Sequence, residues 1–326
     1  MESDRTRILE SHSYASSTGY LQSDWEFATD RLIRSSFVPP APIQELRDLT
    51  RTRRQLVHEV ARHVLRIQKT LEDANLKLTQ VMSDIVGVSG RAILNALIAG
   101  EMDPNRLADL TRGRLKATRA DLVDALHGRV TDHHRFMIKL HLTHIDALET
   151  AVTTIEARIG DALGPCRAAV SLLTTMPGLS ETTARVLIAE IGTDMSRFPS
   201  AGHLISWAGL CPRLDESAGK RRSTRTRQTT PWLKPTLINA AWGATRKKDC
   251  YLRAQFLRIK SRRGAKKAIL AVASSMLTAA YFMLRDGVEY RDLGAQHFVE
   301  RDKEQLAKRL IQRLRDLGVA VEVKAA

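Results

Sequence analysis

The chain has 326 residues, 43% of them apolar, and a formal net charge of +15. That is room for about two domains, with enough apolar content to exclude wholesale disorder. Three widely spaced cysteines, Cys166, Cys211 and Cys250, exclude a disulfide framework and a CxxC zinc site and point to a reducing cytoplasm. A charged start (Asp4, Arg5, Arg7, Glu10) without an apolar segment excludes a secretory signal.

Residues 1–26 are polar and aperiodic, and the acidic cluster Asp24, Glu26 and Asp30 reads as a solvated helix face. The run Phe37-Val38-Pro39-Pro40-Ala41-Pro42 predicts a stiff extended hinge, with Pro42 placed to start a helix. From there Leu56, Val60, Val64, Ile67, Leu71, Ala74, Leu78 and Val81 recur every three or four residues. Leu142, Ile145, Leu148, Val152, Ile155, Ile159 and Ala162 do the same. Both are coiled-coil-like seams on long helices. They can pair within one chain or between copies, and a homo-oligomer through the coiled coil is the expectation. Between them, residues 84–127 predict shorter helices broken at Gly87, Gly90, Gly100 and Pro104.

Beyond residue 165 the pattern turns to short helices punctuated by Gly and Pro. The uncharged stretch Ala268–Leu284, rich in Ala and carrying Ser274, Ser275 and Thr278, is too short and polar for a span and predicts a buried core helix. The tail predicts a charged helix over Arg301–Leu317 and a short β-like end over residues 319–323. The fold class is therefore mainly α, in three parts: 1–42, 43–164 and 165–326.

Charge is concentrated. Between Arg213 and Lys267 there are 17 Lys or Arg against Asp215, Glu216 and Asp249, which leaves +14 of the total +15 in one sixth of the chain. Ordinary surfaces alternate in sign, so this block points to a polyanion, DNA or RNA. Its candidate contacts are Lys220, Arg221, Arg222, Arg225, Arg227, Lys247, Lys248, Arg262, Arg263, Lys266 and Lys267. Upstream, an apolar helix over Ala168–Thr175 runs into Pro177-Gly178-Leu179, and Ser180 stands as N-cap of a second helix. That is a helix-hairpin-helix pattern, in which Gly178 and Ser180 can hold a phosphate; a tight turn needing Gly only for its φ is the alternative. Ser217, between acids and Gly219-Lys220-Arg221-Arg222, is either an ordinary hydroxyl or a nucleophile on a phosphodiester whose charge the neighbouring cations stabilise. His133, His134, His141 and His144 complete no ligand motif and read as packing or surface residues. Trp207, Trp232 and Trp242 could stack on bases, though Trp232 and Trp242 sit in an apolar pattern typical of core.

The ordered series PGxxxxTAxxLxAEIG, FPSAxxLxxWAGLCP and SAGKRR, followed by PWLKPTLINAAWGATRKKDC, resembles the C-terminal domain of the DEDD transposases of insertion-sequence family one hundred and ten, relatives of the Piv DNA invertase. The hinge SFVPPAPIQELRDLTRTRRQLVHE is similar to the linker leading into that family's coiled coil. The resemblance implies a recombinase in which Ser217 joins covalently to a DNA 5′ phosphate and a structured RNA guides the protein to its sites. It also implies Mg²⁺ held by four acidic residues of a RuvC-like N-terminal domain. Residues 1–26 show no such pattern, so the expectation is a transposase lacking that domain, with no cofactor of its own and inert alone. A non-catalytic nucleic-acid-binding scaffold or regulator is the alternative. No membrane is expected.

Overall fold

The computed structural model describes residues 39–113, 116–213, 215–223, 225–228 and 231–318. Asp24, Glu26, Asp30, the Phe37-Val38 start of the hinge and the expected β-like end lie outside the described residues. Among the described residues the fold is mainly α, as the sequence predicts, with thirteen α-helices and one two-stranded sheet in the compact unit Ala41–Ala326.

Helix α1 (Ala41–Asp73) carries Pro42 in its first turn, where the missing N–H is harmless. At 33 residues it is roughly 50 Å long. It pairs with α6 (Asp132–Ala162), which Thr131 caps by accepting from the His134 N–H. The pair runs antiparallel: Arg53 near the start of α1 meets Glu156 near the end of α6, and His63 meets His141 further along. The two apolar seams therefore meet each other inside one chain. Along the middle of the pair Leu56, Val60, Val64, Leu148, Val152 and Ile155 are only half-buried, as two helices alone cannot enclose a seam.

Each end of the pair is rooted in a core. At the far end Ile67, Leu71, Ile138 and Ile145 join α2 (Leu78–Val81), α3 (Val88–Ala99), α4 (Pro104–Asp109) and α5 (Arg119–Ala125) around Leu94 and Leu97. The seam period runs past Asp73, but α1 stops there because Asn75 turns with φ 60°. Gly87, Gly100 and Pro104 bound helices as expected. Gly90 does not: it lies inside α3, where a Cβ would run into the Ile85 backbone. Close approach, rather than a break, is its reason.

At the near end Leu46, Ile159 and Leu163 enter the second core. It is built from α7 (Arg167–Thr174), α8 (Glu181–Ile191), α9 (Ala201–Trp207), α10 (Leu233–Ala244), α11 (Tyr251–Arg263) and α12 (Ala265–Asp286). Among the described residues α12 is the one helix long and apolar enough to cross a membrane, with mean hydropathy 1.6, yet half of that stretch is buried in the protein. Its inner face is Ala268, Ile269, Val272, Ala273, Met276, Leu277 and Ala280, the core helix the sequence predicts. Helix α13 (His297–Asp316) follows, and Gly318 turns with φ 78°.

One buried carboxylate ties α1 to this core. Glu190, 1% exposed, accepts both forks of Arg51 at 2.8 Å, while Arg47 donates to the Ala189 and Glu190 carbonyls at 3.1 and 2.8 Å. No local pattern in the sequence announces this contact across about 140 positions.

Candidate nucleic-acid interface and nucleophile

Pro177-Gly178 forms the turn between α7 and α8, and Ser180 caps α8 by accepting from the Thr183 N–H at 3.3 Å. Gly178 has φ 86°, and a Cβ there would lie 2.5 Å from Ala244 N and 2.8 Å from Ala244 Cβ. The glycine thus lets α10 pack against the turn, a reason independent of any phosphate. The sequence left these two roles open, and the packing role is the one with visible geometry.

Ser217 ends strand β1 (Asp215–Ser217), which pairs antiparallel with β2 (Lys220–Ser223). The sequence showed no strand here. Ser217 faces Lys220 across the pair, and Ala218 and Gly219 make the two-residue turn with φ 50° and 74°. Positive φ at both central positions is the mirror-image turn that suits strand twist. Glycine takes it freely, whereas Ala218 is strained there. Asp215 pairs with Ser223 and Glu216 with Arg221, so Arg222 is a bulged extra residue. A bridge between Pro212 and Thr226, and the bond from Lys234 Nζ to Thr226 Oγ1 at 2.5 Å, tie the hairpin's base to the start of α10.

Ser217 is exposed, and among the described residues its Oγ has no hydrogen-bond partner. Among the described residues no histidine, carboxylate or lysine is hydrogen-bonded to it. The cations follow it along the chain: Lys220, Arg225 and Arg227 are exposed on and after β2, Lys247 and Lys248 follow α10, and Arg262, Arg263, Lys266 and Lys267 sit at the junction of α11 and α12. None of these nine forms an ion pair among the described residues. The stalk formed by α1, α6 and the far-end helices differs: Arg51, Arg53, Arg91 and Arg135 all pair with carboxylates. The structure does not gather the block into one cluster. Lys247-Lys248 and Arg262–Lys267 flank opposite ends of α11, about 20 Å apart along a helix of this length.

Trp242 is 41% exposed with its ring 5.5 Å from Phe256, so it is not the core residue its sequence pattern predicts. Trp207 is 41% exposed beside Phe198. Trp232 is half-buried under the guanidiniums of Arg51 and Arg54, at 5.4 and 5.7 Å from its ring centre. His141 is buried and its Nδ1 lies 3.2 Å from that of His63, while His144 stacks within 5.0 Å of His63. Among the described residues no group of three or more His, Cys, Asp or Glu is arranged to hold a metal ion.

Residues 170–257, which contain α8, the hairpin and α10, match the family model of the IS116/IS110/IS902 transposases. Over 138 residues the chain is 33% identical to the insertion element IS110 uncharacterized 43.6 kDa protein of Streptomyces coelicolor. That stretch is 42% of this chain and spans about a third (33%) of the relative's length. Both similarities support an insertion-element transposase domain in the half of the chain that holds Ser217.

Proposed function

We propose that this chain handles DNA as an insertion-element transposase does, with Ser217 as the attacking group and the exposed cations of the basic block as its phosphate contacts. One observation carries the reading. Inside the segment similar to transposases, a serine stands exposed beside the turn of a tight hairpin, opposite Lys220, which forms no ion pair among the described residues. In the proposed step a bond forms from Ser217 Oγ to a backbone phosphorus and the bond to the 3′ oxygen breaks. The serine's proton ends on the released 3′ hydroxyl, and the 5′ phosphate stays on the protein. Lys220, opposite the serine, is placed to offset charge on the phosphoryl oxygens. A structured RNA would meet the same cations and is part of the proposal.

The resemblance also implies Mg²⁺. The described residues do not fit it, since no ligand group is assembled among them, and no step above runs through the ion. A serine hydroxyl is a weak nucleophile until a base activates it, and among the described residues none is bonded to Ser217. A second reading is a nucleic-acid-binding scaffold that uses the same cations and performs no chemistry.

Titration of a duplex into the full chain tests what both readings share. Reversing Lys247, Lys248, Arg262 and Arg263 to Glu should abolish binding, and the parent's affinity should fall steeply with salt. Equal affinity of parent and reversed proteins would remove the proposed interface.

A further inference from the structure

Where the roots of α1 and α6 meet α8 and α10, a cavity of about 150 Å³ opens past the exposed Thr182. Three arginines line it, Arg53 and Arg54 from α1 and Arg185 from α8, and no carboxylate does. Arg53 and Arg185 each hold a carboxylate outside the lining, Glu156 and Glu181. Arg54 has none within 4 Å among the described residues; its NH1 donates to the carbonyls of Pro231 and Trp232 at 2.9 and 3.0 Å. Arg185 Nε is buried without a hydrogen-bond partner. Of the lining hydroxyls, Thr50 and Thr236 donate to the Arg47 and Trp232 carbonyls and Thr183 shares a hydrogen bond with Ser180 Oγ, so the donors left for a guest are Thr182 and the guanidinium N–H groups not already bonded.

Glu156 and Glu181 offset Arg53 and Arg185, but Arg54 is a cation without a carboxylate where water is partly excluded. An oxyanion in the cavity supplies that missing charge. Guanidinium forks match phosphoryl and carboxylate oxygens alike, but three forks arriving from two elements suit a tetrahedral group with three or four oxygens better than a planar one with two. We propose that this cavity binds one phosphoryl group between Arg53, Arg54 and Arg185. Its source is either a backbone phosphodiester or free phosphate. The site is independent of the assignment of Ser217, and none of its three arginines belongs to the cation block of residues 213–267.

The test is thermal unfolding of the full chain in rising inorganic phosphate, against chloride at equal ionic strength. A guest that binds only the folded chain raises Tm with its concentration. The rise should be absent in chloride and reduced in Arg185→Gln. Because Arg185 also pairs with Glu181, Thr182→Val serves as a second variant: at the exposed mouth it should keep the parent's Tm in chloride and lose part of the phosphate response. In a second arm, a short oligonucleotide is titrated into parent and variants. A loss on the order of tenfold in the variants, the scale of one charged hydrogen bond, assigns the site to a strand phosphate; unchanged affinity beside a phosphate-dependent Tm assigns it to free phosphate. Equal responses to phosphate and chloride, or a phosphate response that both variants keep in full, would overturn the proposal, whatever the cation block does with DNA.

Discussion

At the scale of single residues, Gly178 and Ala218 make opposite predictions from the same backbone property. Gly178 has a positive φ and α10 pressed against it, so Gly178→Ala adds both strain and overlap. We expect a loss of about 3 kcal/mol in urea unfolding, with DNA affinity of the remaining folded protein little changed. If stability held and DNA binding fell, Gly178 would be a phosphate contact and its packing incidental. Ala218 has a positive φ with only the strain, so Ala218→Gly should strengthen the hairpin by roughly 0.5–1 kcal/mol, read as slower amide exchange in β1 and β2. Faster exchange would mean that the turn differs from the one described. The sequence made Gly178 visible, because Pro-Gly before a capped helix is a local signal. It hid the hairpin. Asp-Glu-Ser and Lys-Arg-Arg-Ser have no strand propensity, and the only local sign was Gly219 in the turn, preceded by an alanine that seldom accepts that backbone.

At the scale of elements, the long helices were legible because a seam repeated over many turns needs no partner to be recognised. What the seam pairs with was not legible, since intramolecular and intermolecular pairing share one periodicity. The structure closes it within the chain and puts His63, His141 and His144 at the contact. Burial lowers the His141 pKa, helped by His63, Arg66 and His144; burial, Arg66 and His144 lower that of His63, opposed by Glu59. The folded pair therefore resists protons that the unfolded chain accepts near its ordinary value of about 6.5. Its contribution is intact above that value and is lost as pH falls from there toward the lowered folded values. Urea midpoints measured from pH 7.5 down to 5 should drop in the parent and drop less in His63→Gln. Parallel curves for the two proteins would show that the seam does not feel these protons.

At the scale of the whole molecule, what binds the stalk to the C-terminal core and what is proposed to grip DNA are both arginine problems, solved differently. Glu190 takes up Arg51 in a two-fork pair, and Glu190→Ala would leave that cation unpaired, while the Arg47 bonds to the Ala189 and Glu190 carbonyls would remain. We expect a loss of about 3 kcal/mol, at the low end for a buried pair because Arg51 is partly exposed. A loss below about 1 kcal/mol would place the stalk's anchorage in apolar packing instead. In the block from Arg213 to Lys267, Lys220, Arg225, Arg227, Lys247, Lys248, Arg262, Arg263, Lys266 and Lys267 have no such partners among the described residues. If about 6 phosphates are contacted, DNA affinity should fall on the order of 10³-fold between roughly 50 and 200 mM salt; a flat salt response would dissociate the basic charge from binding. That block was legible from composition alone, whereas its division between the two ends of α11 required the fold. The most direct measurement concerns Ser217 itself. Mixed with a transposase of similar sequence whose own nucleophilic serine is Ala, and with the DNA that transposase cleaves, this chain should acquire a covalent DNA adduct, and Ser217→Ala should abolish the adduct while retaining DNA binding. An adduct that persists in Ser217→Ala, or none on the parent although both proteins occupy the same DNA, would contradict the assignment of Ser217 as the attacking group.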